Sequence, residues 1–220
     1  MPAIVSGVIA VIIAYLLGSI PAAYITTRLQ TGKDIRQLGG GNVGARNVFR
    51  EVGLGVAVAA GVFDVGKGAA ALLIAKWFLG FPSMQLIGVT QVLVLATGLA
   101  VVAGHIWSVY LKFTGGNGLS PTIGVLAVLM PRELLIAFAI TILLIVITRN
   151  PVLSVNISLL FSVPVSAWFL EKSWLYIVFP IALALMLVLH FLPTAKTAFA
   201  TAGSRESLLT ELLRRGKSRK

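Results

Sequence analysis

"SPTIGVLAVLMPRELLIAFAITILLIVI", residues 120–147, is either one broken apolar segment or two. A helix that crosses ~30 Å of hydrocarbon at 1.5 Å per residue needs roughly 20 apolar residues. Pro131, Arg132 and Glu133 divide the stretch into Ser120–Met130 and Leu134–Ile147, both shorter than that. If both pieces cross, the chain has seven spans and its termini face opposite sides of a membrane. If they form one broken span, it has six.

The rest of the chain leaves no doubt that a membrane is involved. Ile4–Leu29, Leu54–Leu79, Met84–Ala103, Val152–Leu170 and Trp174–Leu192 are all apolar runs near the required length. Of the 220 residues 58% are hydrophobic and only 11% charged, and mean hydropathy is +0.98. A soluble domain carries ~45–50% apolar and ~25% charged residues. The expected fold is therefore an all-α integral membrane protein. The opening "MPAIVSGVIAVIIAYLLGSIP" lacks a basic leader and a small-residue cleavage site, so it reads as a retained span. Cysteine is absent, which excludes disulfides, a thiolate nucleophile and Cys-ligated metal. The net charge of +11 invites a nucleic-acid partner, but the basic residues sit at the ends of apolar runs. No nucleic acid is expected.

Charge placement arbitrates the span count, because basic residues collect on the cytoplasmic side. With seven spans and the N-terminus outside, only Lys76, Arg132 and Lys172 of the 18 basic residues fall outside, and Lys67 lies within a span. The other fourteen face the cytoplasm. Six spans would move Lys196 and the basic tail outside and spoil this asymmetry. Seven spans are expected, with residues 1–195 as the membrane domain and 196–220 as a basic cytoplasmic tail. In that tail Leu208, Leu209, Leu212 and Leu213 form an apolar stripe; either it lies on anionic headgroups or it is disordered.

Seven spans put two glycine-rich loops, within 30–53 and 104–119, on the cytoplasmic face; the outer connections 80–83, 131–133 and 171–173 are too short to build a site. "RQLGGGNVGARNVFR" (36–50) and "FTGGNG" (113–118) free several backbone N–H groups to converge on an anion. Arg46 and Arg50 are four apart and share a helix face, and an arginine fork matches phosphate oxygens. One such loop alone is better read as a tight re-entrant turn with arginines snorkelling to headgroups. Two on one face favour a site for a phosphorylated or carboxylated small molecule. Asp64 and Lys67 lie three apart inside a span, where ionisable groups are usually paired or functional. They are a structural ion pair or a wall of that site. His105 and His190, the two histidines, both fall on the glycine-loop side.

These residues carry a resemblance. "GSIPAAYITTRLQTGKDIRQLGGGNVGARNVFREVG" resembles the first signature of the bacterial acyl-phosphate-dependent glycerol-3-phosphate acyltransferases; "FDVGKG" resembles their second-span element and "GHIWSVYLKFTGGNG" their second signature. "TRNPVLSVNISLL" is similar, more weakly, to their fifth-span motif. The resemblance implies a seven-span bacterial plasma-membrane enzyme with a cytoplasmic site and no cofactor or metal. It would move an acyl group from acyl phosphate to the 1-hydroxyl of glycerol 3-phosphate, giving lysophosphatidate and inorganic phosphate in phospholipid synthesis. Asn42 and Arg50 would line the phosphate site, with Arg46, Asn47 and Asn117 beside them. Gly41, Gly44, Gly115, Gly116 and Gly118 would shape the loops. His190 or a phosphate oxygen of the substrate would be the proton acceptor, and Ser19, Arg36, Asp64, Lys67 and His105 would support the site.

The chain departs from the family pattern at Gly40 (serine in the family), Arg46 (threonine), Asn117 (lysine), Pro121 (threonine) and Pro193 (asparagine). A charge-assisted hydrogen bond contributes roughly 1.5–3 kcal/mol, so losing one weakens binding ~10–150-fold. Arg46 is expected to replace the missing lysine's charge. Neither histidine has an acid five places on, since His105 leads to Tyr110 and His190 to Ala195; the motif of thioester-dependent acyltransferases is absent, which favours acyl phosphate as donor. Two other functions stay open: a paralogue with another acceptor or no turnover, and a small transporter with a midplane site, for which no inverted repeat is visible. Oligomeric state is not legible.

Overall fold

The computed structural model describes residues 3–79, 88–171 and 173–201, with side chains for all of these except 3, 152 and 191–201. Every regular element among them is helical. In chain order these are α1 (Ala3–Ser19), α2 (Ala22–Thr31), α3 (Ala45–Glu51), α4 (Leu54–Phe78), α5 (Val89–Ile106), α6 (Leu119–Leu129), α7 (Pro131–Thr148), α8 (Pro151–Ile157), α9 (Val163–Leu170) and α10 (Trp174–Thr201). A π-helical segment, Ser158–Ser162, joins α8 to α9, and single 3₁₀ turns form at Ile35–Gln37 and Val109–Leu111.

Five segments are long and apolar enough to cross a bilayer: Ile4–Thr31, Leu54–Phe78, Val89–Leu111, Pro131–Thr148 and Leu153–Leu170. Leu119–Leu129 and Trp174–His190 are shorter apolar helices. Large side chains such as Leu73, Phe138, Val146 and Phe169 point outward, fully in keeping with a lipid rather than an aqueous surround. The chain is an all-helical, multi-pass membrane protein.

Residues 120–147 do form two helices. Met130 leaves helical geometry (φ −139°, ψ 59°) and Pro131 takes the first position of α7, where its missing N–H costs nothing. Arg132 and Glu133, expected in an outer loop, instead belong to the first turn of α7, and Glu133 is buried. With 11 residues, α6 is only about 17 Å long and sits mostly inside the bundle.

Ile4–Leu29, expected as one span, lies within the single crossing segment Ile4–Thr31, but that segment is not one straight helix. Pro21 has no N–H to continue α1, so the chain breaks at Ile20 and restarts as α2. The Ile20 carbonyl, turned out of the helix, accepts from the Ala22 N–H at 3.1 Å and the Lys67 ammonium at 2.9 Å. The second glycine loop is shorter than the expected 104–119, because α5 runs through His105 to Ile106. The tail beyond Thr201, with its leucine stripe, lies outside the described residues, as does the expected outer connection 80–83.

Helices in lipid gain little from burying apolar surface against one another, so they associate by close packing of small residues. That happens twice here. α1 lies on α5 where Gly18 touches the Val101 carbonyl and Gly104 touches the Tyr15 carbonyl; α4 lies on α6 where Gly68 meets the Pro121 carbonyl and Gly124 meets the Val65 carbonyl. A methyl group at any of the four would strike backbone. The main core, including Leu72, Val94, Val101, Val125, Leu126 and Leu187, fills the space between these helices. A second, smaller core of Ile35, Val43, Val48, Ala57, Ala60 and Leu111 sits under the first glycine loop and holds it against the end of the bundle.

Candidate active site

Asp34 accepts from the Arg36 N–H at 2.9 Å and so caps the turn Ile35–Gln37, which starts the first loop. Its carboxylate also takes the Arg36 side chain in a fork: Nε at 3.1 Å and Nη2 at 2.7 Å. That guanidinium, and burial more weakly against it, sets the carboxyl below the usual range. Arg36 further rests over the Tyr24 ring at 5.4 Å. The loop then turns at Gly41, whose φ of +72° is open to glycine with little cost. Asn47, buried at the start of α3, braces the turn: its Nδ2 donates to Ile35 and Leu38 carbonyls (3.3 and 3.0 Å), and its Oδ1 accepts from the Gly40 N–H at 3.3 Å. Expected among the ligand contacts, Asn47 spends its amide on the loop itself.

The second loop is fastened to the end of α5. The Gly116 N–H donates to the His105 carbonyl at 3.1 Å. Gly116 also lies directly against the His105 ring edge and the Val43 carbonyl, so no side chain fits there. Gly118 (φ +80°) abuts Leu187 of α10 and Ile106. Just before this loop Lys112 and Phe113 both hold positive φ (56° and 61°), an uncommon pairing for non-glycine residues.

The two loops therefore meet. An open hollow of about 370 Å³ is lined by Asp34, Arg36, Gln37, Gly41, Val43, Thr114 and Gly115. Behind it lies a polar void of about 10 Å³, roughly the space of one water, walled in part by Ser19, Lys67, His105, Ser108, Gly115 and Gly116. Deeper still, Asp64 Oδ1 stands 2.8 Å from Lys67 Nζ and 3.4 Å from His105 Nδ1, with all three residues buried. At the wall of the void the Ser108 hydroxyl donates to the Ser19 carbonyl.

Of the expected residues, then, Arg36, Gly41 and Gly115 line the hollow, while Ser19, Lys67, His105 and Gly116 lie just behind it with Asp64. Asn42, Gly44, Asn117 and Gly118 belong to the same two loops without lining the hollow. Arg46 and Arg50 stand on the exposed side of α3, one turn apart. Partial covering, and then the Arg50 charge, lowers the Arg46 pKa. His190, half-buried on α10, meets the Trp107 ring edge-on at 6.3 Å. Sequence reasoning missed Asp34, Gln37, Val43 and Thr114. Asp34 had a signal, since an acid two places before Arg36 at the start of a turn is a capping pattern; Val43 and Thr114 had none.

The chain matches the family described as glycerol-3-phosphate acyltransferase over residues 8–200. It belongs to that family. Its relatives include Glycerol-3-phosphate acyltransferase 1 of Dehalococcoides mccartyi (strain ATCC BAA-2266 / KCTC 15142 / 195), 38% identical over 91% of this chain and 94% of the relative. The glycerol-3-phosphate acyltransferase of Syntrophomonas wolfei is 39% identical over 81% of this chain and 86% of its own length. Among solved structures, the glycerol 3-phosphate form of PlsY (YgiH), an integral membrane glycerol 3-phosphate acyltransferase, superposes with a TM-score of 0.75 at 27% identity, covering 98% of this chain and 96% of that one. Its lysophosphatidic acid form gives 0.73 at 26% identity. Among glycerol-3-phosphate acyltransferases, this chain thus shares both sequence and the whole helical arrangement.

Proposed function

We propose that this protein transfers an acyl group from acyl phosphate to the 1-hydroxyl of glycerol 3-phosphate. The observation that carries this reading is the meeting of the two glycine loops around one arginine-bearing hollow, at the end of an apolar bundle, in a member of this acyltransferase family. That PlsY was crystallised in glycerol 3-phosphate and lysophosphatidic acid forms supports both acceptor and product. Acyl phosphate is already activated. The acceptor oxygen adds to the acyl carbon, the bond from that carbon to the phosphate oxygen breaks, and inorganic phosphate leaves. The acceptor proton goes to His190 or to a phosphate oxygen. What the chain must supply is alignment and stabilisation of the developing oxyanion, for which backbone N–H groups of the loops around Gly41–Gly44 and Gly115–Gly118 are suited. Arg36, Arg46 and Arg50 would provide positive charge for the phosphate, and Asn42 and Asn117 neutral donors.

Seven crossings with the N-terminus outside would set this site on the cytoplasmic face, beside the acyl chains of the inner leaflet and with the 196–220 tail near its headgroups. Purified protein given long-chain acyl phosphate and labelled glycerol 3-phosphate tests the reaction. Stoichiometric release of phosphate with lysophosphatidate is expected. Phosphate release only with another alcohol would reassign the acceptor, and no turnover with any alcohol would sink the proposal.

A further inference from the structure

His105 touches the second glycine loop in two ways. Its carbonyl accepts from the Gly116 N–H at 3.1 Å. Its ring edge, led by Nε2, lies against Gly116 on the same side as the Val43 carbonyl of the first loop. Val43 and Gly115 both line the hollow. The imidazole edge is thus the spacer where the two loops meet.

The bundle fixes that edge from behind. Gly104 packs on the Tyr15 carbonyl of α1 and sets the depth of the His105 backbone. On the far side of the ring, Nδ1 faces Asp64 Oδ1 at 3.4 Å, a contact of charge with dipole rather than a close hydrogen bond. Lys67 holds that carboxylate at 2.8 Å and is itself tied to the Ile20 carbonyl at 2.9 Å. All three side chains are buried, where such contacts are stronger than in water. A lone pair on Nδ1 would oppose the carboxylate, whereas a proton there is attracted; the partner of one ring nitrogen decides the state of the other. A proton on Nε2 would also point into space that Gly116 already fills.

We propose that Asp64 and His105 are positioning residues for the acceptor site: the carboxylate fixes the imidazole as its Nδ1–H tautomer, and the bare Nε2 edge sets the spacing of the two glycine loops. This rests on the glycerol 3-phosphate reading given above. A buried pair that served stability alone could be replaced by apolar residues with no loss in acceptor binding. A positioning carboxylate could not.

The test uses the full chain in lipid nanodiscs. Nitrogen-15 NMR of labelled histidine reads the tautomer without substrate, the His105 signals being those lost in His105→Asn. Wild type is expected to carry its proton on Nδ1 with Nε2 bare, and Asp64→Leu/Lys67→Met to show a mixture. In that double variant, melting should stay close to wild type while KM for glycerol 3-phosphate rises roughly 2- to 10-fold, the size of one misplaced neutral hydrogen bond, with kcat little changed. His105→Asn, which keeps an N–H toward Asp64 but removes the ring edge, should raise KM alike. A proton on Nε2 in wild type, or wild-type KM in either folded variant, overturns the positioning role; the first of these decides even if both variants fail to fold. A wild type that turns over no glycerol 3-phosphate sinks the parent reading, and the positioning role with it.

Discussion

Lys67 Nζ stands 2.8 Å from Asp64 Oδ1, one helical turn away within α4, with both side chains almost wholly shut off from the surface. The pair links three parts of the molecule: Lys67 also donates to the Ile20 carbonyl at the α1–α2 break, and Asp64 also faces His105 under the second loop. Removing one member of a buried pair strands a charge, typically at 3–5 kcal/mol, whereas replacing both by apolar residues of similar volume is often neutral. Lys67→Met and Asp64→Leu should each lower the thermal midpoint strongly in detergent, and the double variant should recover most of the loss. Additive losses in the double variant would refute the coupling.

The α4–α6 crossing makes a separate demand. Gly124 touches the Val65 carbonyl, which cannot swing away as a side chain could. Gly124→Val should cost about 1–3 kcal/mol or more through overpacking, whereas Gly66→Ala, with open space around its position, should leave the midpoint nearly unchanged. Comparable melting of the two variants would mean that the helices do not cross so closely.

At the second loop, Gly116 is pressed between the His105 ring and the Val43 carbonyl. Gly116→Ala would force the two loops apart. A raised KM for glycerol 3-phosphate is expected, with a smaller fall in kcat; steady-state kinetics with saturating acyl phosphate would read the split. An unchanged KM would detach the loop contact from acceptor binding.

Arg46 occupies the position of a family threonine, and Asn117 that of a family lysine. If Arg46 restores the charge, Arg46→Ala should weaken glycerol 3-phosphate binding by ~10-fold or more. Calorimetry decides it, and unaltered affinity would end the compensation idea. Geometry makes this a demanding test, since Arg46 sits outside the hollow on α3 and must reach the ligand from its rim.

Glu171, just beyond α9, has its pKa raised, first by burial and then by Glu133. A carboxyl whose folded pKa exceeds its ordinary 4.5 favours the native state below that value, and the contribution is lost as pH rises through the folded value. Glu171→Gln should therefore raise the melting temperature at neutral pH and lose this advantage at about pH 4. A gain of the same size at both pH values would argue against titration as the cause.

Much of this molecule is written in local pattern. Apolar run lengths gave the helical membrane class, because hydrocarbon requires every backbone polar group to be satisfied within its own segment. Pro131 marked the division between α6 and α7 because the first helical position is where a proline's missing N–H costs nothing. The two glycine loops were legible as anion-binding candidates from composition alone. Pro21 likewise marks the break between α1 and α2, although the segment Ile4–Thr31 remains one apolar span as its hydropathy implies. Arg132 and Glu133 were taken for loop residues because charge usually marks an interface, while the fold draws Glu133 into the bundle.

What the sequence by itself determined was the solvent of the protein, the order of its helices and which short stretches could hold an anion, since each depends on residues adjacent in the chain. Only the tertiary structure decided that Val43 meets Gly116, that Lys67 reaches the Ile20 carbonyl and that Asp64 faces His105. Those pairings depend on how α1, α4, α5 and α6 approach one another through Gly18, Gly104, Gly68 and Gly124. Interhelical distance is a property of packed surfaces, and no single segment carries it.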